Sequence, residues 1–250
     1  MPLTIRQFPC LSDNYGFIFR DDASGRTACV DTPDAGAVLA ALAEAGWGLD
    51  FILNTHWHPD HAGGNAQVQA ATGARIVGPA EVTRIAPLDR AVADGDVVAV
   101  GDTRFAVIGC GGHTLGHIAY FSEDARVAFV GDTLFALGCG RVFEGTAEQM
   151  WTSLGRLAAL PGDTAVYCAH EYTAGNARFA LSVDADPAVR ARADAVFAAR
   201  ARGEATVPTT IALERATNPF LRAPLLAGKP GAPDYEAFAA VRAAKDSFKG

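Results

Sequence analysis

A cluster of side chains that could bind metal stands out in the sequence. The segment 54–65 reads NTHWHPDHAGGN and contains His56, His58, Asp60 and His61 directly after the apolar run FIL. The chain has six histidines, so half of them lie here. Because His56 and His58 are two residues apart, their rings project to the same side of an extended segment. Imidazoles and a carboxylate that converge after a strand suit a divalent ion, and we predict a metal site rather than a loop of solvated histidines.

The other histidines also lie beside apolar segments. GGHTLGHIAYF places His113 and His117 before a strand, and VGDTLF places Asp132 after one. YCAHEY places His170 shortly after another. Ligands commonly bind at strand ends of α/β sheets. These segments together use every histidine of the chain, so we expect them to gather along one sheet edge.

The elements that must position these residues alternate between strands and helices. This alternation predicts an α/β layered domain. Helical spacing of apolar residues predicts helices at 34–45, 66–72 and 147–159. Apolar or alternating runs predict strands at 3–8, 16–20, 27–31, 75–77, 97–100, 104–108, 118–122, 126–130 and 164–167, with a further strand ending at Leu53.

The C-terminal part has a different pattern. From about residue 172 the strand patterns nearly disappear, and 187–202 and 234–248 have helical patterns. All three lysines lie in the last 22 residues, whereas no histidine follows His170. We therefore predict an α/β domain over residues 1–172 and a helical domain with a different role over 173–250.

Composition and charge exclude several classes of protein. Half of the residues are hydrophobic and the net charge is −7, which argues against nucleic acid as a partner. No stretch approaches the ~20 apolar residues of a membrane-spanning helix. The first residues meet Arg6 too early for a signal peptide, so we expect a cytoplasmic protein. The five cysteines are odd in number and widely spaced, which favours buried free thiols over disulfides or a zinc motif.

Several motifs resemble those of the metallo-β-lactamase superfamily in matching order, and within it those of the glyoxalase II (hydroxyacylglutathione hydrolase) family. The resemblance covers nearly the whole chain. It implies a four-layered αββα domain followed by a helical domain that binds substrate. The matching motifs are THWHPDH at 55–61, HTLGH at 113–117, GDTLF at 131–135, CGRVFEGT at 139–146, HEYT at 170–173, NPFLR at 218–222 and the ending VRAAKDSFK.

The resemblance implies a centre of two divalent metal ions. Mixed histidine and aspartate ligands without cysteine favour zinc, and iron and manganese are compatible. We expect His113 to orient a ligand or the loop rather than to bind metal. The implied ligands are His56, His58 and His117 for one ion, Asp60, His61 and His170 for the other, and Asp132 as the bridge between them.

The implied reaction is hydrolysis of an S-2-hydroxyacylglutathione, typically S-lactoylglutathione, to glutathione and a 2-hydroxy acid. This is the second step of methylglyoxal detoxification, and we expect the enzyme to be a monomer. A hydroxide that bridges the metal ions would attack the thioester carbonyl, with Asp60 orienting it as well as binding metal. Phe143 stands where tyrosine is common, and Arg141 where lysine is common. The positions that match glutathione contacts are Arg141, Phe143, Tyr172, Asn176, Arg242 and Lys245.

Two other functions fit parts of the pattern. A persulfide dioxygenase-like enzyme of the same superfamily would use a single iron held by two histidines and one carboxylate. The second set of ligands, Asp60, His61 and His170, argues for the hydrolase. A metal-binding module without catalysis is the third possibility, and the complete set of ligand positions argues against it.

Overall fold

The computed structural model describes residues 3–250, which divide into two compact units. The first unit contains residues 3–109 and 116–131, and the second contains 110–115 and 132–250. Among the described residues, no helix combines the length and apolar character needed to cross a membrane. The five cysteines are buried free thiols, as the sequence predicts.

The first sheet of the first unit provides the strand ends from which the histidine-rich segment leaves. Its strands, in spatial order, are β1 (Leu3–Cys10), β2 (Asn14–Asp21), β3 (Thr27–Val30), β4 (Phe51–Leu53), β5 (Arg75–Gly78) and β6 (Arg90–Ala91). β1 and β2 pair antiparallel, whereas β3 to β6 are parallel neighbours. The carboxyl ends of parallel strands share one edge of a sheet, so the residues after β3 and β4 meet there.

One predicted strand is shorter than expected. The strand expected over 27–31 ends at Val30, because Asp31 adopts a positive φ of 58°. That backbone conformation cannot continue a strand and is uncommon for a residue other than glycine. The chain therefore turns at Asp31, which lies at the edge of the sheet where β3 and β4 end.

The second sheet of this unit is an antiparallel meander. Its strands are β7 (Val97–Val100), β8 (Thr103–Gly109), β9 (Ile118–Ser122) and β10 (Val127–Gly131). Aromatic side chains fill the space between the two sheets: the Phe19 ring lies 5.2 Å from that of Phe105 and 5.6 Å from that of Phe129. All three rings are buried, so β2 has a core on its inner face.

Helices cover the other face of the first sheet. They are α1 (Ala35–Ala45) and α3 (Asn65–Thr72), and the short helix α2 (Pro59–Ala62) lies between them in sequence. α1 begins because the Asp34 carboxylate accepts a hydrogen bond from Ala37 N, and ends at Gly46 with a φ of 67°. The buried residues of this layer include Ile18, Val38, Leu42, Ile52, Val68 and Ile76.

The second unit is mainly helical. Its elements are β11 (Leu134–Phe135), β12 (Gly138–Cys139), α4 (Ala147–Ala158), β13 (Ala165–Cys168), α5 (Thr173–Val183), α6 (Pro187–Ala201), β14 (Thr209–Thr210), α7 (Ile211–Thr217), α8 (Ala223–Ala227) and α9 (Asp234–Ser247). Thr146 and Gln149 form a reciprocal cap at the start of α4. Trp151 of α4 packs on Phe238 of α9, with ring centroids 6.1 Å apart. The segment 132–170 thus belongs to the same compact unit as the C-terminal helices.

A buried polar network ties the β11–β12 hairpin to the helices of the second unit. Glu214 is fully buried, forms an ion pair with Arg192, and accepts a hydrogen bond of 2.9 Å from Leu137 N. Asn218 donates to Glu214 Oε2, to Phe135 O and to Gly138 O over 2.9 to 3.1 Å. Asn218 opens the NPFLR motif, and its amide explains why that position holds an asparagine.

Candidate metal centre

The histidine-rich segment of the first unit is held at the edge where β3 and β4 end. The chain leaves β4 at Leu53 and runs without regular structure to α2, which has Pro59 at its first helical position. His56 Nε2 and His58 Nδ1 lie 3.0 Å apart. The two rings therefore face each other from the same side of the segment, as their spacing predicts.

Asp31 is the residue that fixes this segment. Its Oδ1 accepts a hydrogen bond of 2.8 Å from Thr55 N, and its Oδ2 accepts one of 2.8 Å from the Thr55 hydroxyl. Asp31 Oδ2 also lies 2.8 Å from His61 Nδ1. Asp31 is thus a buried carboxylate that binds the histidine segment at two places.

These contacts define the proton position on two imidazoles. A carboxylate only accepts hydrogen bonds, so His61 donates from Nδ1, and the neutral ring then has its lone pair on Nε2. Since the Thr55 hydroxyl uses its proton on Asp31, it accepts from His56 Nδ1, which is 3.1 Å away. His56 also has its lone pair on Nε2. Both rings are therefore in the tautomer that binds a metal ion through Nε2.

Asparagine side chains of the first unit also hold the histidine-rich segment in place. Asn14 Nδ2 lies 3.2 Å from Asp60 Oδ2, and Asp60 Oδ2 lies 3.6 Å from His61 Nε2. Behind the segment, Asn65 Nδ2 donates to Asn54 Oδ1 over 2.7 Å. Asp60 is thereby oriented toward the same place as the His61 ring.

His117 also lies in this unit, against His56. The two rings are stacked with centroids 4.7 Å apart. A Cβ atom built on Gly131 would lie 2.7 Å from His117 Nε2 and 2.6 Å from Thr55 Oγ1. The Nε2 side of His117 therefore faces the backbone at the end of β10.

The second unit contains its own set of potential ligands around Asp132. His113 Nε2 lies 3.4 Å from Asp132 Oδ2, and His170 Nε2 lies 3.4 Å from Asp132 Oδ1. The two oxygens of one carboxylate thus face two different imidazoles. His113 Nδ1 lies 2.9 Å from Arg141 O, so this ring donates from Nδ1, and the neutral ring then has its lone pair on Nε2.

These contacts bear on the roles that the resemblance implied for two histidines. The resemblance made His117 a ligand and His113 a supporting residue. His113 Nε2 faces the Asp132 carboxylate. The His117 ring stacks on His56 and lies beside the backbone at Gly131. The spacing HTLGH offers two histidines without indicating which ring turns toward the carboxylate.

The expected glutathione contacts all lie in the second unit. The Phe143 ring is 61% exposed and contacts the His113 ring at 5.2 Å. The Tyr172 ring is stacked on His170 with centroids 4.6 Å apart. Both exposed rings therefore lie beside potential metal ligands and can contact a substrate there.

Two of these residues are bound to backbone carbonyls. Asn176 is buried and donates to Ala136 O over 3.1 Å. Arg242 is only 8% exposed and donates to Cys139 O over 3.1 Å and to Asp246 over 2.8 Å. These side chains shape the loop that carries Arg141, in addition to any contact with a ligand.

Lys245 lies in a group of positive charges. Its Nζ donates to Gly175 O over 3.1 Å and lies between the rings of Phe179 and Phe248. Burial lowers the pKa of Lys245, and the nearby cations Arg242 and Arg141 lower it further. Asp246, which pairs with Arg242 at 2.8 Å, offsets part of this effect.

The donor chemistry of both units fits divalent metal ions. Neutral imidazoles with lone pairs on Nε2, held from behind through Nδ1, and adjacent carboxylates are the ligands of zinc and similar ions. The sequence did not identify Asp31, Thr55 or Asn14 as members of the site. The available signal was the position of Asp31 as the last residue of a predicted strand, close to a strand end like the predicted ligands.

Comparison with known proteins gives a consistent result. The metallo-β-lactamase superfamily matches residues 20–170, and the hydroxyacylglutathione hydrolase C-terminus matches residues 171–248. The predicted domain boundary at residue 172 stays a prediction.

Similar proteins cover nearly the whole chain. A hydroxyacylglutathione hydrolase of Erythrobacter litoralis is 54% identical over 98% of this chain and 100% of its own length. A hydroxyacylglutathione hydrolase of Maricaulis maris is 55% identical over 98% of this chain and 99% of its own length. The crystal structure of ETHE1 from Myxococcus xanthus has a TM-score of 0.69 and 28% identity, covering 96% of this chain and 90% of that chain. The predicted fold class, an α/β metallo-β-lactamase fold followed by a helical domain, is confirmed.

Proposed function

The chain belongs to the metallo-β-lactamase superfamily and, within it, to the hydroxyacylglutathione hydrolases, and from this premise we propose how its residues carry out thioester hydrolysis. The enzyme cleaves an S-2-hydroxyacylglutathione to glutathione and a 2-hydroxy acid. The observation that carries the assignment is the full-length match to relatives of that name together with two sets of oriented imidazoles and carboxylates.

We propose that two divalent ions are bound by seven side chains. His113 takes the place that the resemblance gave to His117, because His113 faces an oxygen of Asp132. Asp132 would serve both ions, which is supported by the contacts of its two carboxylate oxygens with two different imidazoles. The proposed ligands are His56, His58 and His113 for one ion, Asp60, His61 and His170 for the other, and Asp132 for both.

The metal ions supply Lewis acidity, which lowers the pKa of water and stabilises negative charge on the thioester oxygen. The protein residues supply orientation. Asp60, restrained by Asn14, would orient the attacking water toward the carbonyl carbon. The Asp31 carboxylate favours the Nε2 lone pair on His61 and stabilises positive charge on that ring. A thiol with a pKa near ~8.5 leaves as the thiolate, so no strong general acid is required.

The second unit supplies recognition of glutathione. Glutathione carries two carboxylates, and the cations Arg141, Arg242 and Lys245 lie close enough to influence one another. Phe143 and Tyr172 offer exposed rings beside His113 and His170. Phe143 lacks the hydroxyl of a tyrosine, which removes one hydrogen bond worth about 0.5–1.5 kcal/mol.

We further propose zinc as the metal, the cytoplasm as the compartment and a monomer as the working state. The absence of cysteine from the proposed ligands supports a hard or borderline ion over a soft one. The net charge of −7 disfavours nucleic acid as a partner. A persulfide dioxygenase-like activity has no specific support, since the full-length relatives are hydroxyacylglutathione hydrolases.

Steady-state hydrolysis of two lactoyl thioesters tests this function. S-lactoylglutathione and a lactoyl thioester of an uncharged thiol share the reacting group and differ in the carboxylates. We expect kcat/KM to be at least about tenfold higher for the glutathione ester, which corresponds to about 1.4 kcal/mol of additional binding. Equal values would remove the cationic group from substrate recognition, and no hydrolysis of either ester would refute the function.

A further inference from the structure

A cavity of about 300 Å³ in the first unit is lined by three arginines and by no carboxylate. Arg75, Arg90 and Arg104 surround it, and Phe51, Val77 and Val98 contribute apolar surface. The concentration of positive charge is unusual for a chain with a net charge of −7. The proposed hydrolysis uses none of these residues.

Strand register brings the arginines together. Arg75 opens β5 and pairs with Phe51 of β4, while Arg90 of β6 pairs with Val77. Ile52 and Ile76 point into the helix-side core, so alternation directs Phe51, Arg75 and Val77 to the opposite face of the sheet. Arg104 comes from β8 of the second sheet. The cavity thus lies where edges of both sheets of this unit approach each other.

The three guanidinium groups are not neutralised by the protein. Within residues 3–250, none of these arginines forms an ion pair, in contrast to Arg26 nearby, which pairs with Asp50. Arg90 is held in place because its Nη2 donates to Val97 O over 3.1 Å. Three exposed cations around one cavity repel one another, and a bound anion would relieve that repulsion.

We propose that this cavity binds a small phosphate monoester with an apolar or aromatic body. The planar fork of arginine donates two parallel hydrogen bonds to phosphate oxygens, and phosphate carries enough charge to engage more than one guanidinium. Phe51, Val77 and Val98 provide the surface on which the organic part packs. The volume of about 300 Å³ lies at the lower end of small-molecule sites.

The site is separate from the metal ligands of the same unit. Phe51 and Arg75 stand at the amino ends of β4 and β5, whereas His56 follows the carboxyl end of β4. An occupant at the amino ends therefore contacts no proposed ligand. This inference does not depend on the hydrolase activity.

Isothermal titration of the full-length, metal-loaded protein with phenyl phosphate tests the proposal. We expect a dissociation constant of about 1 mM or tighter, and weaker binding of inorganic phosphate, which lacks the ring. The double variant Arg75→Gln Arg104→Gln should weaken phenyl phosphate binding at least tenfold. Arg190→Gln, an exposed arginine on α6, is the matched control and should bind as the wild type does.

The same variants separate this cavity from the metal centre. Thioester kcat/KM of the double variant should stay within twofold of the wild type, because neither arginine is among the proposed ligands. Unchanged phenyl phosphate binding in the double variant would overturn the proposal, since the ligand would then lie elsewhere. Absence of binding to the folded wild type would overturn it as well.

Discussion

At the scale of single residues, the chemistry of the centre depends on which nitrogen of each imidazole carries the proton. Asp31 and Thr55 place the proton of His61 and His56 on Nδ1, and Arg141 O does the same for His113. Each ring therefore offers Nε2 to a metal ion. Residues that never touch the metal thus determine whether the ligands can bind it.

His113→Ala and His117→Ala distinguish the two possible ligand assignments. We expect His113→Ala to lose metal and to reduce kcat by at least about a hundredfold, because a ligand facing Asp132 is removed. His117→Ala should retain both metal ions but be less stable by about 2–4 kcal/mol, since it leaves a cavity beside His56. Elemental analysis, the turnover number and the free energy of unfolding of both variants show which histidine binds metal. The opposite pattern would restore His117 as the ligand.

Asp31→Asn tests the supporting carboxylate. The amide retains the shape but loses the negative charge that accepts from His61 and Thr55. We expect metal affinity to fall by about 10–100-fold, measured by titration against a competing chelator. Asp102→Asn, an exposed change in the same unit, should leave affinity unaltered. Equal affinity in both variants would limit Asp31 to a structural role.

Most potential ligands could be predicted from residue type and from position at strand ends, but not the division of roles. Asp31 was assigned to a strand, because nothing in TACVDTP indicates a positive φ. His113 and His117 are both histidines in a glycine-rich loop, and only the course of the backbone turns one ring toward Asp132. Roles of this kind arise from tertiary contacts that a local pattern does not contain.

At the scale of elements, the end of β10 must pass very close to the histidine segment. Gly131 has a φ of 48°, and a Cβ atom there would lie 2.6 Å from Thr55 Oγ1 and 2.7 Å from His117 Nε2. Only glycine allows this approach without displacing Thr55. The motif GDTLF therefore begins with glycine for a steric reason.

Gly131→Ala should disturb the centre from a position that binds no metal. The added methyl group pushes Thr55 away from Asp31, so we expect lower metal affinity and a stability loss of about 1–3 kcal/mol. Gly155→Ala in α4 meets nothing within 4 Å and should gain up to about 1 kcal/mol through helix propensity. Unfolding curves and metal titrations compare the two. A Gly131→Ala protein with normal metal affinity would contradict the steric argument.

Elements with strong periodicity were predicted well, and short ones were not. The helical pattern of 147–159 agrees with α4, which Thr146 caps in the structure. The β11–β12 hairpin consists of two-residue strands within a fully buried segment, so it has neither length nor alternation to reveal it. The hairpin is held by hydrogen bonds with the side chains of Asn218 and Glu214, which are about 80 residues away in sequence.

At the scale of the whole molecule, stability in acid depends on buried carboxylates. Burial alone would raise the pKa of Asp21, but hydrogen bonds from Thr103 and Ser24 outweigh it and lower the pKa from 3.8 to about 2. A carboxylate with a depressed pKa in the folded state stabilises that state above its unfolded pKa. The contribution is lost as the pH falls from about 4 toward 2.

Asp21→Asn should reduce this dependence on pH. The shift in the wild type corresponds to about 2 kcal/mol at neutral pH. We therefore expect the variant to unfold more readily at pH 7 and to lose less stability between pH 5 and 3 than the wild type. Denaturant unfolding at several pH values measures both. A parallel pH dependence in the two proteins would contradict the role of Asp21.

The central claim is that two metal ions, held by residues far apart in sequence, activate water for thioester hydrolysis. Titration of metal-free protein with zinc, followed by turnover of S-lactoylglutathione, measures this directly. We expect full activity only when two ions per chain are bound, and complete loss after chelation. Full activity at one ion per chain, or activity in the fully chelated protein, would contradict the account.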